Sequence, residues 1–226
     1  MFAGFSQETV DFLWGIRFNN ERGWFLEHKD EFKAFVDEPI RLLAHETADI
    51  IMAEHPKLDL QMKVSRIYRD ARRLHGRGPY KDHLWFSIRR PAERGCAVPC
   101  LYFELAPECW RYGVGCYDAT ALTMAKLRAG IDRDPRQLEK LARRLNRQEE
   151  FRLEGERYKR PKGDPGKLLE PWYNRRWLGV VSEQNCEGDF FTPALRDRVV
   201  EGFRFLMPYY EYLDRLTAEP DPRTPV

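Results

Sequence analysis

The residues with the greatest capacity for chemistry lie in the segment 61–83, where seven basic and two acidic side chains occupy 23 positions. Arginine presents a planar set of N–H donors that binds phosphate or carboxylate groups in a bidentate manner. The Gly78-Pro79 turn predicts a tight loop with free backbone N–H groups, which fixes Tyr80 and Lys81 facing the arginines. We therefore predict an anion-binding cleft. Its candidate ligand-binding residues are Arg66, Arg69, Arg72, Tyr80 and Lys81.

The same basic segment could instead stabilise the fold through ion pairs. If strand alternation continues through residues 66–69, arginines occur on both faces of the strand, and a buried guanidinium needs a partner. Asp70 is the nearest candidate partner for Arg69. We expect Arg69 to act structurally and Arg72, which is closer to the glycine-rich loop, to act in binding. An internal network and an anion site both stay open for this segment.

Nucleic-acid binding is an alternative function. A second basic block, residues 143–176, contains eleven basic and six acidic side chains. Aromatic residues that could stack on bases interleave with the two basic blocks, and they are Tyr68, Tyr80, Tyr158, Trp172, Tyr173 and Trp177. The pI of only 8.2 and the acidic ends of the chain favour a small anionic ligand over nucleic acid. The segregated charges would also suit a protein-interaction module without catalytic activity.

Groups for acid–base catalysis are present, but their spacing defines no reaction. The candidates are His28, His75, His83, Asp70, Asp82 and Glu104, and we assign no catalytic residue and no cofactor. His28 falls on the apolar stripe of a helix, which favours a packed histidine. The five cysteines include no C-x-x-C pair and no histidine at zinc-finger spacing, so we expect reduced thiols and no metal site.

Hydrophobic periodicity predicts the elements that must position these groups. Helical spacing occurs over the first 55 residues, in three helices of which the third begins at Pro39. The period then changes to two, which predicts strands near 60–69, 83–89, 100–105, 110–116 and 177–181. Further helices are predicted at 120–131, at 135–147 and after Thr192, where Pro208 should kink or break the last one. This order is typical of an α+β fold with a mainly antiparallel sheet, covered by N-terminal and C-terminal helices.

Length and composition define the class of protein. The 226 residues are 42% hydrophobic and 33% charged, which suits a globular protein and excludes collagen-like and wholly disordered chains. No segment reaches the roughly 18 apolar residues of a membrane span, and the first residues lack the features of a signal peptide. We therefore expect a soluble cytoplasmic protein with one domain at 1–218 and a disordered tail at 219–226. The sequence assigns no oligomeric state.

Several separated motifs resemble one known family. They are Asn19-Asn20-x-Arg22-x-Trp24-Phe25, Arg66-Ile-Tyr-Arg69-Asp70-x-Arg72, Pro79-Tyr80-Lys81, Gly113-x-Gly115 and Arg160-Pro161-Lys162-Gly163. In this order they resemble the uncharacterised family known as domain of unknown function 2461, over nearly the whole chain. The resemblance implies a single α+β domain and no established activity, cofactor or catalytic residue. The loop after Arg72 departs from the family's R-F-S-K-D-K pattern, although His75 and Arg77 keep it basic.

Overall fold

The N-terminal part of the chain is helical, as its periodicity predicts. The computed structural model describes residues 1–70, 72, 76, 78–91 and 97–223. The first helices are α1 (Gln7–Phe18), α2 (Arg22–Glu27), α3 (Lys29–Glu31) and α4 (Glu38–Glu54). A π-helical segment, Phe32–Asp37, connects α3 to α4.

Capping and apolar spacing explain why α1 and α4 form. The backbone N–H of Ser6 donates to Thr9 Oγ1 at 3.1 Å, and the Thr9 hydroxyl donates to the Phe35 carbonyl at 2.6 Å. The first bond caps α1, and the second attaches it to the π-helical segment. Pro39 lies in the first turn of α4, where its missing N–H leaves no donor unpaired. The buried face of α4 contains Ile40, Leu43, Ala44, Thr47, Ala48 and Ile51.

Within the described residues, six strands form one antiparallel sheet in the order β1-β2-β3-β4-β6-β5. They are β1 (Gln61–Val64), β2 (Leu84–Arg89), β3 (Cys100–Leu105), β4 (Cys109–Cys116), β5 (Arg152–Glu154) and β6 (Leu178–Asn185). A tight turn joins β3 to β4, in which the Ala106 N–H donates to the Cys109 carbonyl at 2.9 Å. The predicted α+β class and antiparallel sheet are confirmed.

The first strand is shorter than predicted. It ends at Val64 rather than at residue 69, and only one further backbone bond, from Ser65 N–H to the Trp85 carbonyl at 2.7 Å, continues the pairing with β2. Beyond it the chain pairs with a different partner, because Tyr68 forms an isolated antiparallel bridge with Tyr80. The basic segment therefore leaves the regular sheet before its arginines.

The chain divides into two compact units, each built from separate stretches of sequence. Unit 1 comprises Met1–Ile88, Tyr102–Tyr112 and Glu183–Gly202. Its core is rich in aromatic rings: Phe5 stacks on Phe190 with ring centroids 4.9 Å apart, and Phe86 stacks on Phe103 at 5.4 Å. The candidate cleft lies wholly within unit 1.

Unit 2 consists of described residues from three stretches of the chain, which are Arg89–Leu101, Gly113–Ser182 and Phe203–Val226. It contains α5 (Ala121–Arg133), α6 (Arg136–Leu145), α7 (Glu170–Tyr173) and the C-terminal part of α8 (Ala194–Ala218). The hydroxyl of Tyr209 in α8 donates to the Leu141 carbonyl of α6 at 3.0 Å. Of the predicted kink or break at Pro208, the break does not occur, because α8 continues across this residue.

No helix among the described residues is long and apolar enough to cross a membrane. Residues 224–226 of the predicted disordered tail lie outside the described part of the chain, as do His75 and Arg77 of the basic loop.

Candidate functional site

An open groove of about 900 Å³ runs along the basic segment in unit 1. Its lining includes five cations, one carboxylate, one imidazole and two aromatic rings, namely Lys63, Arg66, Arg69, Arg72, Lys81, Asp70, His83, Tyr68 and Trp85. The structure therefore brings together four of the five predicted site residues: Arg66, Arg69, Arg72 and Lys81. The fifth, Tyr80, is not among the lining residues.

Tyr80 is a core residue, which corrects its predicted place in the cleft. Its ring stacks on Phe25 with centroids 4.3 Å apart, and only 4% of the residue is exposed. Burial, followed by the nearby Tyr68, raises the pKa of its phenol. Successive side chains of an extended segment point to opposite sides, so the segment that turns Lys81 into the groove turns Tyr80 into the core.

The backbone of Tyr80 is held by a side chain far away in the sequence. Asn20 Oδ1 accepts from the Tyr80 N–H at 2.9 Å, and Asn20 Nδ2 donates to the Tyr80 carbonyl at 3.0 Å. A Cβ atom at Gly78 would lie 2.1 Å from Asn20 Oδ1, so this approach requires glycine. Asn20 thus connects the end of the first helical segment to the strand-like segment after the basic loop.

Asp82 connects three side chains behind the groove. Its carboxylate accepts from Arg17 Nε at 2.7 Å and from an Arg69 Nη at 3.3 Å, and it lies 3.1 Å from His83 Nδ1. Burial alone would raise the pKa of this carboxyl, but hydrogen bonds from His83 and Arg17 hold it below its ordinary value. Asp82 therefore stays ionised and positions both Arg69 and the imidazole of His83.

Arg69 is placed structurally, but through a partner other than the expected Asp70. Besides Asp82, its Nε donates to the Tyr80 carbonyl at 2.6 Å, and 16% of its side chain is exposed. Asp70 instead forms a bidentate pair with Arg72, at 3.0 and 2.7 Å. Neighbouring side chains on extended backbone diverge, whereas Asp82 lies across the bridged segments from Arg69.

Arg72 lies at the exposed edge of the groove. Its side chain is 85% exposed, and its pair with Asp70 is therefore well screened by water. A ligand anion can replace Asp70 as the partner of Arg72 with little loss of interaction free energy. The predicted binding role of Arg72 remains compatible with this position and stays a prediction.

Lys81 lies in the densest positive field of the groove. Its ammonium donates to the Arg66 carbonyl. Burial lowers the pKa of this amine, and the charges of Arg69, Arg66 and Lys63 lower it further. Among the residues that the structure describes, no carboxylate forms an ion pair with Lys63, Arg66 or Lys81. These three cations can therefore receive an external anion.

Lys81 is expected to titrate with a pKa below 10.5, the ordinary value for lysine, because burial and, after it, the neighbouring cations disfavour the ammonium form. Acylation at a series of pH values, with mass spectrometry of the Lys81 peptide, should show the midpoint of reactivity below 10.5. Arg66→Gln should move the midpoint upward because it removes one of these cations. A wild-type midpoint at or above the ordinary value would contradict the positive field.

The structure separates the histidines that sequence reasoning proposed for acid–base catalysis. His83 lines the groove. His28 is packed, as expected: its ring stacks on Trp24 with centroids 4.0 Å apart, and its Nδ1 lies 2.8 Å from the Trp24 carbonyl. His75 lies outside the described residues. No reaction follows from this arrangement.

Lys63 and Trp85 line the groove, although sequence reasoning assigned neither of them to the site. The strand period offered a signal, because Leu84 and Phe86 are buried on one face of β2 and Trp85 must lie on the other.

Neither metal-binding clusters nor deprotonated thiols occur in the described part of the chain. No three or more His, Cys, Asp or Glu side chains there are placed to hold a metal ion. Burial raises the thiol pKa of Cys100, Cys116 and Cys186 to about 12 and also raises that of Cys109, so these thiols are protonated at neutral pH.

Comparison with known proteins identifies a family but no activity. The family model described as "Conserved hypothetical protein (DUF2461)" matches residues 8–212. This match confirms the resemblance inferred from the sequence motifs. No curated protein matches the chain.

Proposed function

Because the chain belongs to the DUF2461 family of conserved hypothetical proteins, whose description names no activity, we propose a function from the groove itself: it binds a small molecule that carries a phosphate or carboxylate group. The observation that supports this proposal is the gathering of Lys63, Arg66 and Lys81 on one groove, with no carboxylate paired to them among the described residues.

An internal network explains only part of the basic segment. Arg69 is bonded to Asp82, and Arg72 to Asp70, so these two arginines have partners within the protein. The charges of Arg69, Arg66 and Lys63 instead repel the ammonium of Lys81, and this repulsion adds to the effect of burial in lowering the pKa of Lys81. Folding brings these charges together at a cost, which a bound anion would offset.

The groove has the chemistry and size for such a ligand. Arg66 supplies a guanidinium for bidentate contact, and Lys81 supplies a compact positive charge. A volume of about 900 Å³ lies in the range of small-molecule sites, roughly 300–1,000 Å³. Arg72 can add a second guanidinium at the exposed edge if the ligand displaces Asp70.

The proposal predicts a loss of affinity without a loss of stability. In calorimetric titrations with inorganic phosphate, pyrophosphate, citrate and ribose 5-phosphate, at least one should bind the wild type. Arg66→Gln and Lys81→Gln should each lower the affinity for that ligand by about tenfold or more, because a hydrogen bond to a charged group contributes about 1.5–3 kcal/mol. Their melting temperatures without ligand should equal or exceed that of the wild type, since repulsion is relieved.

A matched control is Arg147→Gln, which removes an exposed arginine of unit 2. It should leave the affinity unchanged. Failure of all four anions to bind the wild type, or equal losses of affinity in the groove and control variants, would contradict the proposed function.

A cytoplasmic location also stays a prediction.

A further inference from the structure

Beyond its cations, the groove contains an exposed aromatic ring, that of Tyr68. Tyr68 lines the groove, and 55% of it is exposed. We propose that the ligand carries an aromatic base beside its phosphate, and that the base stacks on Tyr68. The proposal rests on the proposed anion-binding function and names its ligand class: nucleotides.

Tyr68 is held in place from behind by two buried rings. Its ring lies 5.9 Å from that of Phe25 at an interplanar angle of 70°, and 5.4 Å from that of Tyr80 at 48°. Phe25 and Tyr80 are 2% and 4% exposed. A ring packed in this way loses little conformational freedom when a second flat ring stacks on it.

The backbone on both sides of Tyr68 is also fixed. The Arg69 N–H donates to the Pro79 carbonyl at 2.8 Å, and the Lys81 N–H donates to the Ile67 carbonyl at 2.7 Å. These two bonds flank the bridge between Tyr68 and Tyr80. The exposed ring and the side chain of Lys81 therefore extend from one hydrogen-bonded backbone unit.

A second ring lies in the same groove. Trp85 is half-buried, and Lys81 Nζ lies 5.9 Å from its ring centroid. Cations that track phosphates, next to aromatic rings that stack on bases, are the combination by which proteins bind single-stranded nucleic acid and nucleotides without reading sequence. Binding of an anion without an aromatic part would use the cations and leave both rings unused.

A base beside a phosphate occurs both in a free nucleotide and in a single nucleic-acid strand. The dependence of affinity on salt concentration distinguishes these two ligands. A strand that contacts several phosphates releases counterions and loses affinity steeply as salt rises, whereas a mononucleotide contact depends on salt more weakly. AMP and an eight-residue single-stranded oligothymidylate, each titrated at low and moderate salt, therefore identify the source.

The test compares ligands with and without a base. AMP should bind the full chain about tenfold or more tightly than ribose 5-phosphate, because stacking of one base contributes about that factor. Tyr68→Ala should remove this advantage and leave the affinity for ribose 5-phosphate unchanged, whereas Tyr68→Phe should preserve it. Phe18→Ala is the matched control, since it removes an aromatic ring that is 76% exposed and lies outside the groove.

Each outcome has one meaning. Equal affinity for AMP and ribose 5-phosphate, or a base-dependent gain that survives Tyr68→Ala, would overturn the stacking proposal while the anion site stands. Failure of every phosphate and carboxylate ligand to bind would overturn the proposed function instead. Tighter binding of the oligothymidylate with a steep loss in salt would support the inference and identify the source as a nucleic-acid strand.

Discussion

Asp82→Asn is expected to lower the free energy of unfolding by about 2–3 kcal/mol. The substitution keeps the shape of the side chain but removes the charge that Arg17 and Arg69 share. Only 29% of Arg17 and 16% of Arg69 are exposed, so their charges would be left partly buried without this partner. Arg17 keeps its contact with Glu108, and for this reason the expected loss is below that of a fully buried pair. Urea unfolding measures it.

The loss of stability caused by Asp82→Asn should become smaller at acidic pH. Hydrogen bonds from His83 and Arg17 outweigh burial and lower the pKa of Asp82 below 3.8 in the folded protein. A lowered carboxyl pKa stabilises the folded state above the ordinary value, and the stabilisation disappears as the pH falls through the folded value. The difference between the wild type and Asp82→Asn should thus be complete at neutral pH and shrink below 3.8.

Asp30→Asn is the control for this prediction. Asp30 lies 3.9 Å from Lys33 on the surface, where 99% of its side chain is exposed and water screens the interaction. Its loss should change the unfolding midpoint by no more than the error of the measurement. Equal destabilisation by the two substitutions would contradict the role assigned to Asp82.

Asn20→Ala should lower the free energy of unfolding by about 2–3 kcal/mol, because it removes both hydrogen bonds to the backbone of the buried Tyr80. The Tyr80 carbonyl would keep its bond from Arg69, but its N–H would lose the acceptor that Asn20 provides. Gly78→Ala should act through the same contact, since its Cβ would lie 2.1 Å from Asn20 Oδ1 and displace the amide. Unfolding in urea reports both losses.

A double-mutant cycle distinguishes this contact from two independent defects. If Gly78→Ala acts by displacing Asn20, the double variant should be much less destabilised than the sum of the single variants. Asn19→Ala serves as the neighbouring control, because its exposed side chain donates only to the Gly15 carbonyl at the end of α1. It should have a small effect. Additive losses at Asn20 and Gly78 would contradict the shared contact.

The sequence alone predicted the features that depend on local pattern. Apolar spacing in α4 and alternation in β2 and β3 require a particular element whatever surrounds them, because one face of each must be buried. The strand β5 escaped prediction, since three residues are too few to show a period. The density of cations between Lys63 and His83 likewise predicted a groove that gathers Arg66, Arg69, Arg72 and Lys81.

Only the tertiary structure decided which of those side chains face the groove and which charges are compensated. Alternation places Tyr80 and Lys81 on opposite sides, but the choice of side depends on Phe25, a residue of a distant helix, which packs on the Tyr80 ring. Arg69 pairs with Asp82 rather than with its neighbour because bridged segments bring distant side chains together, while adjacent ones diverge. Partners at long sequence separation leave no periodic signal, and for this reason the ion pairs of Arg69 and Arg17 with Asp82 could be found only in the folded chain.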